Sequence, residues 1–213
     1  MAYVPIPKEG RTLALVVRHG RTASNEGRPK LRAWDDLPLN RDGELDADLA
    51  ANTLRPFAPK IIYSSDLIRD TQTAHRISEI LKIPAEIAFE LRTADMGEWT
   101  GMYTDELADE IRNWYERPFM AAPGGESQDN FLGRLFPWVD SKLILFRDVP
   151  QYRPGVFVTH GRPVAALDSR YNFRPPIEGR MSKPGGVSEI KEMPLRRIAF
   201  DFLGPTEDLI EDA

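Results

Sequence analysis

Short apolar runs alternate with amphipathic stretches along most of the chain. Leu13 to Val17 is an unbroken apolar run too short for an ordinary helix, so Thr12 to Arg18 reads as a strand buried on both faces. Ile61 to Ser64 and Val156 to Thr159 repeat the pattern, and a shorter strand is expected near Glu86 to Phe89. Helical stretches fall between them. One runs from about Arg41 to Leu54 and is ended by Pro56. A second, from about Leu67 to Leu81, puts Leu67, Thr71, Ala74, Ser78 and Leu81 on one face and is closed by Pro84. Thr104 to Glu116 and Gln128 to Phe146 read as helices flanking the Pro123-Gly124-Gly125 turn, and another is expected from Pro163, a residue tolerated in a first helical turn. Val187 to Met193 and Arg197 to Phe202 read as closing strands. This order predicts an α/β three-layer sandwich, with a mainly parallel central sheet covered by helices on both faces and ligands bound at the carboxyl ends of the strands.

Composition narrows the class. A chain of 213 residues, 41% of them hydrophobic, suffices for one α/β core, so a single domain over residues 1–213 is expected, with a frayed acidic tail over about 204–213. The absence of cysteine excludes disulfides, thiolate metal sites and a cysteine nucleophile. A net charge of -5, with Lys and Arg spread along the chain, argues against a nucleic-acid polymer or an anionic membrane as partner. Met1 to Arg11 carries Pro5 and Pro7 and no apolar core of signal-peptide length, so a soluble, cytoplasmic protein is expected.

The chemistry concentrates at two strand ends. Arg18-His19-Gly20-Arg21-Thr22 follows the first strand and Thr159-His160-Gly161 follows the strand at Val156. A neutral imidazole held beside cations is what attack on phosphorus requires, because the cations neutralise the phosphoryl oxygens while bonds exchange. Ser64-Ser65-Asp66-Leu67-Ile68-Arg69, closed by Thr71, Thr73 and Ala74, brings a second arginine to a helix start, and two guanidinium groups chelate the oxygens of a transferring phosphoryl group. Asn25, Trp34-Asp35-Asp36-Leu37-Pro38-Leu39, Pro123-Gly124-Gly125-Glu126-Ser127 and Gly185-Gly186-Val187-Ser188-Glu189 complete an ordered set.

From about Thr12 to Ile190 these motifs, in this order, resemble the histidine phosphatase superfamily, also called phosphoglycerate mutase-like. The resemblance implies that His19 becomes phosphorylated, that Arg18, Arg69 and His160 enclose the phosphoryl group with it, and that Thr22 and Asn25 add hydrogen bonds. It implies a metal-independent phosphatase acting on a small phosphorylated metabolite or nucleotide, with no cofactor and no metal, and leaves a homodimer open. The short stretch from Gly101 to Gly124 favours a phosphatase over a phosphoglycerate mutase-type phosphotransferase. A degenerate phosphatase that binds a phosphorylated ligand without turnover is the other alternative.

One position departs from the pattern. In Leu91-Arg92-Thr93-Ala94-Asp95-Met96-Gly97-Glu98-Trp99-Thr100-Gly101, the position at which this branch usually carries a glutamate proton donor holds Thr93. Asp95, two residues on, is the first candidate for a relocated acid, ahead of Glu90 and Glu98; otherwise the enzyme works without one. Without an acid, phosphoanhydrides, aryl phosphates or phosphoramidates are expected to be preferred over simple alkyl phosphates. Arg21, Arg28, Lys30 and Arg32 lie in the loop that the resemblance places at the pocket mouth, where surface solvation is the simplest reading of each. Arg21 is carried as a substrate-binding candidate, as are Gly161 and Arg162 beside His160. His75 and the aromatic residues Trp99, Trp114, Tyr115 and Trp138 read as ordinary surface or packing residues.

Overall fold

The computed structural model describes residues 11–25, 27–172 and 184–191. Strand β1 (Thr12–Arg18) is followed by α1 (Arg41–Leu54), β2 (Ile61–Ser64), α2 (Ile68–Leu81), β3 (Ala85–Ile87), α3 (Ala108–Glu116), α4 (Gln128–Asp148), β4 (Gly155–Thr159), α5 (Gly161–Asn172) and β5 (Val187–Lys191). The sheet order is β3-β2-β4-β1-β5. Only β5 runs antiparallel, against β1; the other described pairings are parallel.

The continuous apolar strands follow from burial on both faces. Alternation sends Leu15, Val17, Ile62, Val156 and Val158 to one side, where Ala50, Ala51 and Leu54 of α1 and Ala74 and Ile77 of α2 cover them. Ala14, Val16, Tyr63 and Phe157 face the other side, against Leu135, Val139 and Phe146 of α4 and Val164 and Leu167 of α5. The buried residues of β1, β2 and β4 therefore meet a helix layer on either face, as expected of an α/β sandwich, whereas the edge strand β3 is exposed.

Several boundaries differ from expectation for local reasons. The helix expected from Thr104 begins at Ala108, because the chain before it is drawn against the loop at Pro29: Lys30 bridges Tyr103, and the Thr104 amide donates to the Pro29 carbonyl. The helix expected from Pro163 starts at Gly161, with the Val164 amide donating to the His160 carbonyl and Pro163 inside the first turn. Phe89 belongs to a 3-10 turn, Phe89–Leu91, and not to β3. The strand expected over Arg197 to Phe202, the end of the one expected to reach Met193, and the acidic tail lie outside the described residues.

A close backbone approach seats the loop after β1. Asn40 caps α1 by accepting from the Gly43 amide, and Gly43 then lies against Gly20 and Arg21. A Cβ on Gly20 would sit 2.2 Å from the Gly43 oxygen, and one on Gly43 would sit 2.0 Å from the Arg21 oxygen. Backbone cannot yield cheaply to such an overlap. Gly43→Ala is expected to destabilise by about 1–3 kcal/mol as overpacking. Gly133→Ala, on the exposed side of α4 with open space around its Cβ, should stabilise by about 0.5–1 kcal/mol. Thermal denaturation of both variants checks the pair, and a Gly43→Ala variant as stable as wild type would contradict the packing.

Candidate active site

Register between β1 and β4 builds the site. Arg18 pairs with Thr159, and the His19 amide donates to the Thr159 carbonyl at 2.9 Å, so the two histidines leave adjacent parallel strands at the same level. Their rings lie 5.2 Å apart between centroids, edge to face, and both are buried. The neighbouring Gly20 amide donates to Thr73 Oγ1 of α2, which itself donates back to the Arg69 carbonyl. Gly185, in the turn before β5, donates its amide to the Arg18 carbonyl, and the Arg18 amide donates to the Gly186 carbonyl.

Hydrogen bonding assigns the tautomers. His19 Nδ1 lies 2.7 Å from the Gly20 carbonyl, which accepts only, so Nδ1 carries the proton and Nε2 presents a lone pair. Arg69 Nε donates to that Nε2 at 3.3 Å, while its Nη2 lies 3.1 Å from His160 Nδ1. A guanidinium cannot accept, so His160 Nδ1 is the acceptor and its Nε2 carries the hydrogen, facing Ser65 Oγ at 3.0 Å and Asp70 Oδ2 at 3.2 Å.

Arg69, the second residue of α2, is held by the loop before it. Its Nη1 donates to the Asp35 carbonyl and its Nη2 to the Ala33 carbonyl, while Asp36 Oδ1 caps α2 through the Ile68 amide. Ala33 adopts a φ of 40°, a left-handed backbone conformation uncommon outside glycine, and this presents its carbonyl to the arginine.

Cations crowd the pocket. Burial, then Arg32 and Arg69, lower the Arg18 pKa to about 10, and burial followed by Arg69 lowers that of Arg32. Burial first, then Arg69, Arg18 and Arg32, hold His19 well below its ordinary 6.5 against the hydrogen bond to Gly20. His160 is lowered likewise by burial, then Arg69, His19, Arg18 and Arg134. The product is a neutral imidazole whose unprotonated Nε2 faces Arg69 inside a ring of guanidinium groups, suited to nucleophilic attack on a phosphoryl group once an incoming anion draws the arginine away.

The other sequence-predicted residues divide. Thr22 is fully buried, with Oγ1 3.2 Å from Ser24 Oγ and accepting from Arg32 at 3.3 Å. Gly161 opens α5 beside His160 and is buried. Asn25 ends the short turn Ala23–Asn25, and its side chain lies outside the described residues. Arg21 is not brought to the histidines: its guanidinium forks onto Asp46 and reaches Asp42 of α1, because the α1 N-terminus packs directly on its backbone. Arg162 turns to α3, donating to the Tyr115 hydroxyl at 3.1 Å and lying 5.6 Å from the Trp114 ring.

Asp95 is occupied by a turn. Its Oδ1 accepts from the Gly97 amide, and its backbone exchanges hydrogen bonds with Glu126; none of its hydrogen bonds reaches His19, Arg69 or His160. Glu98 is exposed and Glu90 is half-buried. Arg134 of α4 organises this segment, donating to the carbonyls of Glu90, Arg92 and Thr93 and pairing with Glu126 at 2.6 Å. Two groups escaped the sequence reading. By sequence Arg32 reads as a solvated loop cation and nothing marks Asp70 beside Arg69; the signal each offers is adjacency to a motif. Among the described residues no group of three His, Cys, Asp or Glu is placed to hold a metal, and no helix is long and apolar enough to cross a membrane.

The sequence profile of the histidine phosphatase superfamily (branch 1) matches residues 14–186. The chain is 32% identical over 160 residues to the glucosyl-3-phosphoglycerate phosphatase of Mycolicibacterium vanbaalenii, covering 72% of this chain and 71% of the relative. It is 30% identical over 159 residues to a protein named probable phosphoglycerate mutase GpmB from Salmonella typhi, covering 72% of each. The solved structure of a mycobacterial glucosyl-3-phosphoglycerate phosphatase in complex with VO3 superposes with a TM-score of 0.71 at 28% identity, over 84% of this chain and 90% of that one.

Burial and the surrounding cations favour the neutral form of both histidines. Both imidazoles should remain neutral as the ligand-free protein is taken down through pH 6.5, as monitored by nitrogen-15 NMR of His19 and His160. A midpoint at or above 6.5 for either ring would contradict the buried, cation-flanked geometry.

Proposed function

The chain belongs to the histidine phosphatase superfamily and is a phosphoric ester hydrolase, and from that premise we propose how its own residues carry out hydrolysis of a small phosphorylated metabolite or nucleotide. The observation that carries the reading is the fixed His19 tautomer, whose Nε2 lone pair faces Arg69 while Nδ1–H is held by the Gly20 carbonyl.

A phosphate dianion entering the pocket draws Arg69 from the two imidazoles onto its own oxygens, with Arg18 and Arg32 neutralising the rest of its charge. His19 Nε2 attacks phosphorus as the P–O bond to the leaving group breaks. Transfer leaves the His19 ring cationic, and the Gly20 carbonyl, already accepting from Nδ1–H, stabilises that charge. Water then attacks phosphorus, the P–N bond breaks, and inorganic phosphate departs.

Guanidinium groups take the part a divalent ion plays elsewhere, which supports a metal-independent reaction. The absence of cysteine suits a cytoplasmic setting. Hydrolysis is favoured over phosphotransfer to a bound product because the stretch from Gly101 to Gly124 holds only α3, and because the mycobacterial relative carries the name of a phosphatase.

His19→Ala should abolish turnover of phosphate monoesters without loss of the folded state. Acid quench of the wild type during turnover of labelled substrate should trap acid-labile label on His19. Near wild-type turnover by the variant would overturn the phosphohistidine assignment. EDTA should leave the rate unchanged, and loss on chelation restored by magnesium or zinc would overturn metal independence.

A further inference from the structure

Asp70 lies where a carboxylate is costly. Its side chain is fully buried, 3.2 Å from His160 Nε2 and 3.8 Å from Arg69 Nε, with no hydrogen-bond donor in good geometry on either oxygen. Such a group is tolerated when it is neutral or when it shares a proton. Position 70 is the third residue of α2, directly after Arg69, so the turn that aims the guanidinium at His19 also presses this carboxyl against the second histidine. It is the carboxyl in contact with the histidine pair, whereas Asp95 is tied into the turn at Gly97 and position 93 carries threonine.

We propose that Asp70 and His160 form a proton-donating dyad that supplies the leaving group's proton through His160 Nδ1, replacing the carboxylic acid absent at position 93. The proposal rests on the phosphatase reading above and assigns that reaction its acid and base. Arg69 establishes the geometry: one guanidinium edge spans from His19 Nε2 to His160 Nδ1, so a phosphoryl group bonded to His19 Nε2 lies beside His160 Nδ1.

The proton count closes. In the loaded site Asp70 is a carboxylic acid donating to His160 Nε2, and His160 carries its hydrogen on Nδ1, where Arg69 has been drawn away to the phosphate. As the P–O bond breaks, the leaving oxygen takes the Nδ1 proton while the Asp70 proton passes to Nε2. Asp70 is then a carboxylate and His160 a neutral Nε2–H tautomer, the same ring tautomer that donation from Arg69 to Nδ1 imposes when no phosphate draws the guanidinium away. In the second half-reaction the attacking water gives a proton to Nδ1, the Nε2 proton returns to Asp70, and both groups are restored. Ser65, also within reach of Nε2, supports the ring but has too weak an acid to hold the exchanged proton.

The surroundings favour this arrangement. Burial raises the Asp70 carboxyl well above the usual carboxylate range, opposed first by Arg69 and then, more weakly, by Arg18, with Asp66 and Asp36 adding to the rise. His160 faces Arg69, His19, Arg18 and Arg134 and stays neutral. Both groups therefore prefer their uncharged forms, and a proton moves between them at small cost.

The test compares an alkyl ester, glycerol phosphate, with an aryl ester, p-nitrophenyl phosphate, in wild type and Asp70→Asn. The amide keeps the volume but cannot pass a proton. For glycerol phosphate kcat/KM should fall about 10²-fold or more, and the high-pH limb of its wild-type profile should disappear. For the aryl ester, whose leaving group departs as an anion, kcat/KM should change little, while kcat falls and phospho-His19 accumulates because its hydrolysis has lost the base. That burst also verifies that the variant folds with a working nucleophile. Equal losses in kcat/KM for both esters, or none for glycerol phosphate, would overturn the dyad. Nitrogen-15 NMR of wild-type His160 gives a second reading that needs neither the variant nor turnover: inorganic phosphate should move the proton from Nε2 to Nδ1, and an unchanged tautomer would overturn it. Failure of the phosphatase reading itself is distinct, appearing as wild-type enzyme that turns over neither ester and traps no phosphohistidine.

Discussion

Mutual repulsion among Arg18, Arg32 and Arg69 is the constraint on which the rest of the site depends. Three guanidinium groups converge on two buried imidazoles, and each lowers the proton affinity of its neighbours. Left alone, such a cluster would spread toward solvent. It is held by the scaffold: Arg18 sits on the strand paired with Thr159, Arg32 reaches Thr22, and Arg69 is bound by the carbonyls of Ala33 and Asp35, with Asp70, Asp36 and Asp35 adding opposite charge around it. Carbonyl acceptors are suited to that purpose, since they orient a guanidinium without cancelling its charge. The field stays available for an incoming phosphate, and burial first, then that same field, keep His19 unprotonated. Nucleophile activation and anion binding are therefore one electrostatic arrangement.

That arrangement extends through the scaffold in short links. Thr73 ties the amide of Gly20 to the Arg69 carbonyl, so the nucleophile loop and the arginine helix move together. Asp36 caps α2 one residue before Arg69. Gly20 and Gly43 let α1 rest directly on the loop, and Arg21 locks that contact by clamping Asp46. Loss of a side-chain link loosens one residue, whereas a Cβ at either glycine displaces the loop itself.

Most of the fold was legible because its strands are buried on both faces and read as unbroken apolar runs, a pattern few alternatives share. The helix at Arg41–Leu54 and the strand at Ile61–Ser64 match expectation to the residue. The first residues of α3 and α5 were not legible, since tertiary bonds to Pro29 and to the His160 carbonyl decide them. In the site, the residues carried by motifs at strand ends, Arg18, His19, Arg69 and His160, came together as expected. Arg21 did not, because α1 packs directly on its backbone and Asp46 and Asp42 of that helix take its guanidinium. Arg32 was hidden by a loop whose path no periodicity encodes. Asp70 was hidden by its neighbour: helical geometry that turns residue 69 toward His19 also turns residue 70 inward, and a charged residue in the first turn of a helix ordinarily reads as a solvated one.

Thr93 stands where the family resemblance leads one to expect a carboxylic acid, and the framework around it does not depend on its side chain. Arg134 gathers the carbonyls of Glu90, Arg92 and Thr93, Trp34 donates to the Thr93 carbonyl, and Glu126 holds the backbone amide of Asp95. All of these bonds are to backbone atoms of the segment and are indifferent to which side chain stands at position 93. The segment therefore keeps its shape and closes its side of the pocket without a carboxyl to offer. On the far side, α2 already places a carboxyl and a guanidinium within 3.2 Å and 3.1 Å of the two ring nitrogens of His160. A proton donor needs a labile proton and contact with the departing oxygen, and neither requirement ties it to one strand of the scaffold. Moving that duty to α2 leaves the phosphate-binding geometry unchanged, because the dyad reuses the histidine that already faces the phosphoryl group.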